Sequence, residues 1–248
     1  MRGDEFFSRI AATPPFSGMH PKTATFFKEY LSREKVVRFG DRYVMNTHFP
    51  PFPSRAFETL ATGFDRVGDA GERNLFSVTL AVTNRCMYRC WHCYNAGRIQ
   101  KDMPLEVITS LAAELQDMGA VTTTLSGGEP LLRRDLERIV GAFDSRTCLK
   151  LNTTGMGLTA ERAKALSENG LFALGVSLDS TDTREHDRMR GHEGAFSNAI
   201  KALHTAADAG IYPYVIAVAT REFIEPDRFR QYLKLAVEEG EREIHLLA

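Results

Sequence analysis

The sequence predicts an α/β protein with a parallel sheet, and two observations carry this prediction. From Leu75 onward, short apolar runs of β-type composition alternate with longer runs whose apolar side chains recur at helical spacing. In addition, four glycines stand where a predicted helix must end and turn tightly into the next strand, namely Gly119, Gly170, Gly210 and Gly240. Repetition of this strand–helix unit indicates parallel strands joined by helical crossovers.

Six strands and five helices follow from this pattern. In order, we predict strand 75–82, helix 105–118, strand 120–126, helix 134–143, strand 148–152, helix 160–169, strand 171–178, helix 195–209, strand 212–219, helix 226–239 and strand 243–247. In the first of these helices, Leu105, Ile108 and Leu111 begin a series of apolar residues at steps of three and four, as one buried helix face requires. Six strands connected in this way form either a doubly wound sheet or a barrel, complete or partial. In both, the carboxyl ends of the strands carry the chemistry.

Residues 1–74 lack this alternation and are predicted to be an N-terminal extension to the domain at 75–248. The extension is rich in aromatic residues, because 11 of the 16 phenylalanines lie in the first 76 residues. We interpret these rings as packing against the main domain. The alternatives are a wall for an apolar substrate or a contact with a partner protein.

Local signals divide the extension into short elements. Pro21 is expected to open a helix, because its fixed φ and missing N–H suit the first helical position. Val36–Asn46 is typical of a hairpin, and Ser54 is expected to cap a helix that ends near Thr62. The polar stretch 65–74 is the predicted linker to the main domain.

Charge and cysteine usage limit the classes of protein. The 31 basic and 32 acidic residues give a net charge of -1, so no nucleic-acid or anionic-membrane partner is predicted. Three of the four cysteines lie in the short segment Cys86–Cys93, away from Cys148, which does not suit a disulfide framework and indicates a reducing compartment. No signal peptide and no run of about 18 apolar residues is present, so we expect no transmembrane segment and a cytoplasmic location.

Polar motifs follow four successive predicted strands. Cys86–Cys93 follows the first strand, Ser126-Gly-Gly-Glu-Pro130 the second, and Asn152-Thr-Thr-Gly155 the third. Ser177-Leu-Asp179 and then His186-Asp-Arg-Met-Arg-Gly191 follow the fourth. Because the carboxyl ends of parallel strands meet at one edge of a sheet, these loops are expected to converge on one site.

The three clustered cysteines favour a metal centre. A tetrahedral zinc site would need a fourth ligand, for which His92 or Cys148 is available. Three thiolates also suit a four-iron iron–sulfur cluster with one iron left open to a ligand. The cysteines by themselves leave both alternatives open.

A wider resemblance is carried by several motifs together. Cys86-x3-Cys90-x2-Cys93, with a flat ring before the last cysteine, and Gly127-Gly-Glu-Pro130 resemble the radical S-adenosylmethionine (radical SAM) superfamily. Val176-Ser-Leu-Asp179 and His186-Asp-x-x-Arg-Gly191 resemble the branch with molybdopterin-precursor cyclases, peptide-modifying maturases and sulfatase-maturing enzymes.

The resemblance extends from about residue 75 to the end of the chain and implies a partial (β/α)6 TIM-like barrel. The chain ends at the predicted sixth strand, without a helix to cover it. We therefore expect a missing C-terminal domain, which in many relatives carries auxiliary clusters, or a partner that covers this strand.

The same resemblance implies an activity. Cys86, Cys90 and Cys93 would ligate a 4Fe–4S cluster, and the amine and carboxylate of S-adenosylmethionine would chelate the fourth iron. An electron from a donor such as flavodoxin or ferredoxin would then cleave S-adenosylmethionine to a 5′-deoxyadenosyl radical, which abstracts hydrogen from a substrate. The substrate is a peptide, a cofactor precursor or another small molecule, and no catalytic side chain is assigned.

A different class of function is an iron–sulfur electron-transfer or binding module that does not cleave S-adenosylmethionine. The Gly127-Gly-Glu-Pro130 loop argues against this alternative. A pure electron carrier needs no site for an aminoacyl group and usually has four protein ligands on each cluster.

Seven residues are implied to bind S-adenosylmethionine: His92, Gly127, Gly128, Glu129, Asn152, Ser177 and Arg190. Glu129 would accept the methionine amine, with the two preceding glycines allowing close backbone approach, and His92 would pack on the adenine. Ser177 would bind the ribose and Arg190 the carboxylate, with a solvated charged loop as the alternative for the arginine. Asn152 would contact the cofactor or cap a turn.

Overall fold

The structure, a computed structural model, describes residues 1–14, 16–70 and 74–247, with side chains in these ranges except at 67–70. The helices are α1 (Gly3–Ile10), α2 (Pro21–Leu31), α3 (Arg55–Ala70), α4 (Leu105–Asp117), α5 (Leu136–Val140), α6 (Ala160–Glu168), α7 (Thr183–Arg190), α8 (Ala195–Asp208) and α9 (Pro226–Glu238). The strands are β1 (Val37–Phe39), β2 (Arg42–Val44), β3 (Ser77–Thr83), β4 (Thr122–Gly127), β5 (Cys148–Thr153), β6 (Leu171–Ser177), β7 (Tyr212–Val218) and β8 (Ile244–Leu247).

Strands β3 to β8 form one six-stranded sheet in sequential order, whereas β1 and β2 form a separate antiparallel hairpin. A doubly wound sheet reverses its strand order, so the sequential order favours the barrel type of winding. Parallel pairing places Asn152 opposite Gly175, Ser177 opposite Ile216 and Val218 opposite Leu247. This register brings the carboxyl ends of β5 to β8 to the same edge, and the α/β fold class predicted from the sequence is confirmed.

Contacts divide the chain into two compact units. Unit 1 comprises Met1–Val78, Ile108–Thr123 and Ala142–Cys148, and unit 2 comprises Thr79–Val107, Thr124–Gly141 and Leu149–Ala248. Each unit has buried side chains of its own, described separately below.

Unit 1 has an aromatic core. Val121 is one of its buried members, and the others include phenylalanines of the helices and of the segments that connect them: Phe6, Phe16, Phe27, Phe49 and Phe57. Phe16 meets Phe27 edge to face with the ring centroids 5.5 Å apart, a geometry that adds roughly 0.5–1.5 kcal/mol to the burial of apolar area. The phenylalanine-rich N-terminal segment therefore contributes a core of its own.

Unit 2 surrounds strands β6 and β7, whose side chains are almost all buried. Helix α8 turns a face rich in small residues inward, including Ala199, Ala202 and Ala206. Small side chains bring a helix close to its neighbours, so α8 lies close against the strand layer. Among the described residues, no helix combines the length and the apolar character that crossing a membrane requires.

The structure corrects several boundaries in the N-terminal segment. Pro21 opens α2, and the Ser54 hydroxyl accepts a hydrogen bond from Phe57 N at 3.1 Å, as expected of a cap. However, α3 continues to Ala70 rather than ending near Thr62, because its buried face continues past Phe57. Residues 65–70 of the predicted linker are thus helical, and 71–73 lie outside the described residues.

Two helices were not predicted, and one is shorter than expected. Helix α1 was missed, and α5 covers only part of the predicted 134–143. Helix α7 was taken for a charged loop because its sequence is strongly polar. Its ends are nevertheless well defined, since the Asp182 side chain accepts a hydrogen bond from Glu185 N at 2.7 Å and Gly191 adopts φ +61°.

Candidate functional site

The cysteine loop, Cys86–Cys93, follows β3 and is anchored through its backbone. Helix ends leave carbonyl groups without partners inside the helix. Two carbonyls at the end of α7 accept hydrogen bonds from the cysteine loop, with Arg89 N donating to Arg190 O at 3.1 Å and Trp91 N donating to Met189 O at 3.3 Å. The loop is therefore fixed against α7 independently of the side chains at these positions.

The three sulfurs of the loop face one cavity in unit 2. The cysteines are free, with Cys86 exposed and Cys90 and Cys93 half-buried. Nine of the ten candidate site residues line this cavity of about 480 Å³, and the tenth, Glu129, does not. The lining comes from the loops after β3, β4 and β5, from the end of β6 and from the end of α7, so the predicted convergence at the strand ends is observed.

The thiols lie in a partly desolvated setting. Burial raises the pKa of Cys86, and the hydrogen bond from Tyr88 N to its sulfur acts in the opposite direction. Burial also raises the pKa of Cys90, and the positive charge of Arg190 opposes that rise. Arg190 Nη1 donates to Cys90 Sγ at 3.9 Å, which places a cation beside one sulfur.

The two glycines of the Gly127-Gly128-Glu129 loop lie against the backbone at the end of β3 and just before the cysteine loop. Gly128 N donates to Thr83 O at 2.7 Å, and Glu129 N donates to Arg85 O at 2.8 Å. A Cβ atom on Gly127 would lie 2.2 Å from Thr83 O, and φ at this residue is +129°. At Gly127 only glycine permits both the conformation and the approach, so the loop after β4 is held against the end of β3 and the residues that lead into the cysteine loop.

Glu129 lies behind the cavity wall, fully buried. Its Oε1 accepts hydrogen bonds from Leu131 N at 2.9 Å and Thr153 Oγ1 at 2.7 Å. Its Oε2 accepts from Thr154 N at 2.7 Å and Thr154 Oγ1 at 2.6 Å. Burial raises the pKa of this carboxyl, and the four hydrogen bonds oppose the rise. Because both oxygens are already engaged, the carboxylate joins the loop after β4 to the end of β5.

Asn152 and Ser177 lie near the carboxyl ends of the neighbouring strands β5 and β6, with Asn152 opposite Gly175. The Asn152 Oδ1 atom accepts a hydrogen bond from Tyr214 OH at 2.7 Å, which orients the amide in the cavity. Asn152 was predicted either to contact the cofactor or to cap a turn. Its Oδ1 atom does not cap a turn, so a position facing the cavity fits the structure better. Ser177 is half-buried at the end of β6 and also lines the cavity.

A buried charged pair lies beside the cysteine loop. Asp179 Oδ2 lies 2.7 Å from Arg190 Nε, and Asp179 Oδ1 accepts a hydrogen bond from Val218 N at 3.1 Å. His186 Nδ1 accepts from Asp179 N at 3.0 Å, and burial lowers the pKa of this histidine to about 4, with Arg190 acting in the same direction. A neutral His186 therefore supports the backbone of Asp179.

His92 lies on the other side of the same pair. Its Nε2 atom is 3.9 Å from Asp179 Oδ2, and burial lowers its pKa. The Nδ1 atom is buried and has no hydrogen-bond partner among the described residues. Trp91, which precedes it, packs edge-on against the His92 ring with 66% of its own surface exposed.

Tyr94 and Arg98 form part of the cavity rim. The Tyr94 hydroxyl lies 3.1 Å from Ser126 Oγ and donates to Gly127 O at 3.3 Å. The Arg98 guanidinium lies over the Tyr94 ring at 5.6 Å from its centroid. The ring surface outside these contacts is exposed, so the rim presents an aromatic and cationic face.

The sequence did not assign roles to several residues that shape the site. Thr153 and Thr154 hold Glu129, Asp179 holds Arg190, and Tyr94 lies on the rim. All but Tyr94 belong to motifs that the sequence singled out, yet their partners come from other elements of the fold. Within the described part of the chain, no three histidine, cysteine or acidic side chains are grouped as ligands of a single metal ion. An iron–sulfur cluster does not require three side chains around one metal ion, because each cysteine binds a separate iron.

The fold and the shared cavity define an α/β enzyme whose site is built from loops at the carboxyl ends of parallel strands. The family model described as Radical SAM superfamily matches residues 80–222, and the chain belongs to this superfamily. Members use a 4Fe–4S cluster and S-adenosylmethionine, and the prediction of these cofactors is confirmed.

Similar proteins agree with this assignment. A probable GTP 3′,8-cyclase of Methanocella arvoryzae is 32% identical over 171 residues, covering 67% of this chain and 55% of the relative. A PqqA peptide cyclase of Methylocella silvestris is 35% identical over 169 residues, covering 66% and 45%. The chain thus spans about half the length of these relatives.

The fold is also shared with a solved structure, that of Streptococcus suis SuiB bound to S-adenosylmethionine. The TM-score is 0.63 at 14% identity, covering 77% of this chain and 44% of SuiB. At this identity the likeness concerns the fold alone, and it supports the predicted partial-barrel architecture.

Proposed function

We propose that Cys86, Cys90 and Cys93 hold the 4Fe–4S cluster, and that S-adenosylmethionine binds in the same cavity for hydrogen abstraction from an organic substrate. The observation that carries this proposal is the common cavity. Its lining includes three thiols together with polar groups from the ends of three further strands. When bound, the reduced cluster and S-adenosylmethionine supply the radical chemistry that removes a hydrogen atom from a substrate.

The residues present fit these two groups. Three soft thiol ligands suit iron in a sulfide cluster. The cavity side also offers a buried His92 Nδ1 atom without a hydrogen-bond partner among the described residues, and the cationic Arg190. No aspartate or glutamate lines the cavity in the described part of the chain, and the cationic Arg190 lies beside the Cys90 sulfur.

Each lining residue has a distinct part in the proposal. Arg190 attracts the carboxylate of S-adenosylmethionine, and Ser177 and Asn152 offer polar atoms to the ribose side. His92 provides a flat neutral ring for the adenine, since burial lowers its pKa. Gly127 and its neighbour leave the cavity wall free of side chains at the loop after β4.

Glu129 acts in this proposal chiefly as a brace. A direct contact with the methionine amine stays a prediction, and it would require the carboxylate to give up one of its four donors. By holding Thr154 and Leu131, Glu129 instead fixes the shape of the wall on which the cofactor rests. Its effect on binding is then indirect.

The substrate is proposed only by class, as a peptide, a cofactor precursor or another small molecule. The two curated relatives described above are named for a nucleotide and for a peptide, respectively. The reducing electron is proposed to come from a donor such as flavodoxin or ferredoxin. An iron–sulfur electron-transfer module is disfavoured, because the cavity offers a ligand site beyond the cysteines.

Anaerobic reconstitution tests the proposal. The protein is incubated with iron and sulfide, and then S-adenosylmethionine and dithionite are added and 5′-deoxyadenosine is measured. We expect about four irons per chain and production of 5′-deoxyadenosine. Absence of a cluster would refute the ligand assignment, and a cluster without 5′-deoxyadenosine would favour the electron-transfer alternative.

Two cysteine variants make a matched pair in this test. Cys90→Ala removes a proposed ligand and is expected to abolish cluster formation. Cys148→Ala removes a buried cysteine outside the cysteine loop and is expected to keep it. A full cluster in Cys90→Ala would overturn the assignment of this residue.

A further inference from the structure

Asp179 stands out because it is a fully buried carboxylate that does not line the cysteine cavity. Its two oxygens are used by different elements. Oδ1 accepts from Val218 N at the end of β7, and Oδ2 contacts Arg190 Nε at the end of α7. A charge with no access to water must be compensated by a partner, so the position of Asp179 depends on Arg190 and the reverse holds as well.

The Arg190 guanidinium extends from Asp179 to the cysteine loop. Nε lies 2.7 Å from Asp179 Oδ2, and Nη1 donates to Cys90 Sγ at 3.9 Å. The two atoms of the short contact, Arg190 Nε and Asp179 Oδ2, are buried and have no hydrogen-bond partner among the described residues. The ion pair with Asp179 therefore holds the Nε side of the guanidinium, while Nη1 faces the Cys90 sulfur.

Backbone contacts also hold the end of α7 close to the cysteine loop. Arg190 O accepts a hydrogen bond from Arg89 N, and a Cβ atom on Gly191 would lie 2.5 Å from Arg89 O. The helix thus ends in contact with the loop, one residue away from Cys90. With its backbone held there, the side-chain torsions of Arg190 decide where the guanidinium points, and the contact with Asp179 fixes its Nε end.

We propose that Asp179 is a positioning residue that holds the Arg190 guanidinium against the Cys90 sulfur and thereby raises the reduction potential of the cluster. This rests on the proposed function, in which Cys90 is a cluster ligand. Reduction adds one electron to the cluster, and a cation with an N–H donor at a ligand sulfur stabilises the more negative, reduced state. Hydrogen bonds to the sulfurs and local charge are known determinants of iron–sulfur potentials.

A simple electrostatic role for Asp179 predicts the opposite sign. If the carboxylate acted only as a fixed negative charge near the cluster, its removal would make reduction easier and raise the potential. If it positions Arg190, its removal releases the donor from the sulfur and lowers the potential. The direction of the shift therefore separates the two roles.

Asp179→Asn is the appropriate substitution. The asparagine oxygen can still accept from Val218 N, so the contact with β7 is retained. Its NH2 group then faces Arg190 Nε, which places a donor against a donor and turns the guanidinium away. Glu137→Gln is the matched control, because it breaks a half-buried carboxylate–arginine pair with Arg162 that has no contact with the cysteines.

The experiment measures iron content, visible absorbance and the midpoint potential by anaerobic titration followed by electron paramagnetic resonance, without S-adenosylmethionine. We expect the wild type, Asp179→Asn and Glu137→Gln to bind equal iron. The potential of Asp179→Asn should fall by about 59 mV, which corresponds to a tenfold loss in the one-electron reduction equilibrium. The Glu137→Gln potential should match that of the wild type.

An unchanged or raised potential in Asp179→Asn would overturn the proposal. Arg190→Lys provides a second test if Asp179→Asn does not fold, since lysine keeps the charge near Asp179 but lacks the fork that also reaches Cys90. Its potential should also fall, and a wild-type value would refute the positioning role. A wild-type protein that binds no cluster would instead refute the proposed function, so the two failures are distinguishable.

Discussion

Replacing Glu129 by glutamine tests how far this carboxylate determines the stability of the site. The substitution preserves size and shape but removes the charge. Each carboxylate oxygen accepts one backbone N–H, from Leu131 or Thr154, and one threonine hydroxyl. In either orientation, the new NH2 group faces one of these backbone donors. A hydroxyl can rotate and accept instead, but a backbone N–H cannot.

The expected loss in the free energy of unfolding follows from the hydrogen bonds that the substitution changes. The variant buries one backbone N–H without a partner, which costs about 1–3 kcal/mol, and the remaining hydrogen bonds lose their ionic character. Since hydrogen bonds to charged groups contribute about 1.5–3 kcal/mol each, we expect a total loss of about 3 kcal/mol in the free energy of unfolding. This is a large share of the stability of a typical domain.

Urea unfolding of the cluster-free protein near neutral pH measures this loss independently of any cofactor. The midpoint should move to lower urea with an unchanged m-value. Glu114→Gln, an identical change on the exposed face of α4, is the control and should leave the unfolding curve unchanged. A loss below about 1 kcal/mol for Glu129→Gln would refute the view that Glu129 is a brace.

Two further predictions concern pH and backbone conformation. Burial lowers the pKa of His186 from 6.5 to about 4, so its stabilising contribution is complete above about pH 6.5 and declines as the pH falls toward 4, by up to about 3 kcal/mol. His186→Gln should show a flatter dependence of unfolding free energy on pH across this window, and equal slopes would contradict the prediction. Gly127→Ala should lose roughly 3 kcal/mol, because φ is +129° and the new Cβ would lie 2.2 Å from Thr83 O. Gly157→Ala, with φ +84° but open space around the Cβ, should lose only about 1 kcal/mol, and equal losses would show that the contact with Thr83 is unimportant.

The alternating part of the fold was predictable because its signals are local. Glycines at helix ends and apolar runs of strand length indicate each unit without reference to the rest of the chain. The predicted strand 171–178 and the observed β6, Leu171–Ser177, differ by one residue. Helix α7 was missed because its polar composition shows no apolar periodicity. Asp182 as the N-terminal cap and Gly191 at the C-terminal end are nevertheless recognisable helix signals.

The location of the site was predictable, but the internal partners of its residues were not. The motifs follow successive strands, and parallel topology brings such positions together. The burial of Glu129 depends on two threonines of the next strand, and the direction of Arg190 depends on a helix that the sequence did not reveal. Such pairings arise from tertiary packing, which spacing along the chain does not encode.

The exposed indole between Cys90 and Cys93 gives this protein a built-in optical reporter. Trp91 is the single tryptophan of the chain, so all indole emission originates beside the proposed cluster ligands. Its backbone is fixed by α7 while 66% of its surface is open to solvent. Iron–sulfur chromophores quench nearby indole emission, so fluorescence would follow cluster loading and loss in real time, without a label.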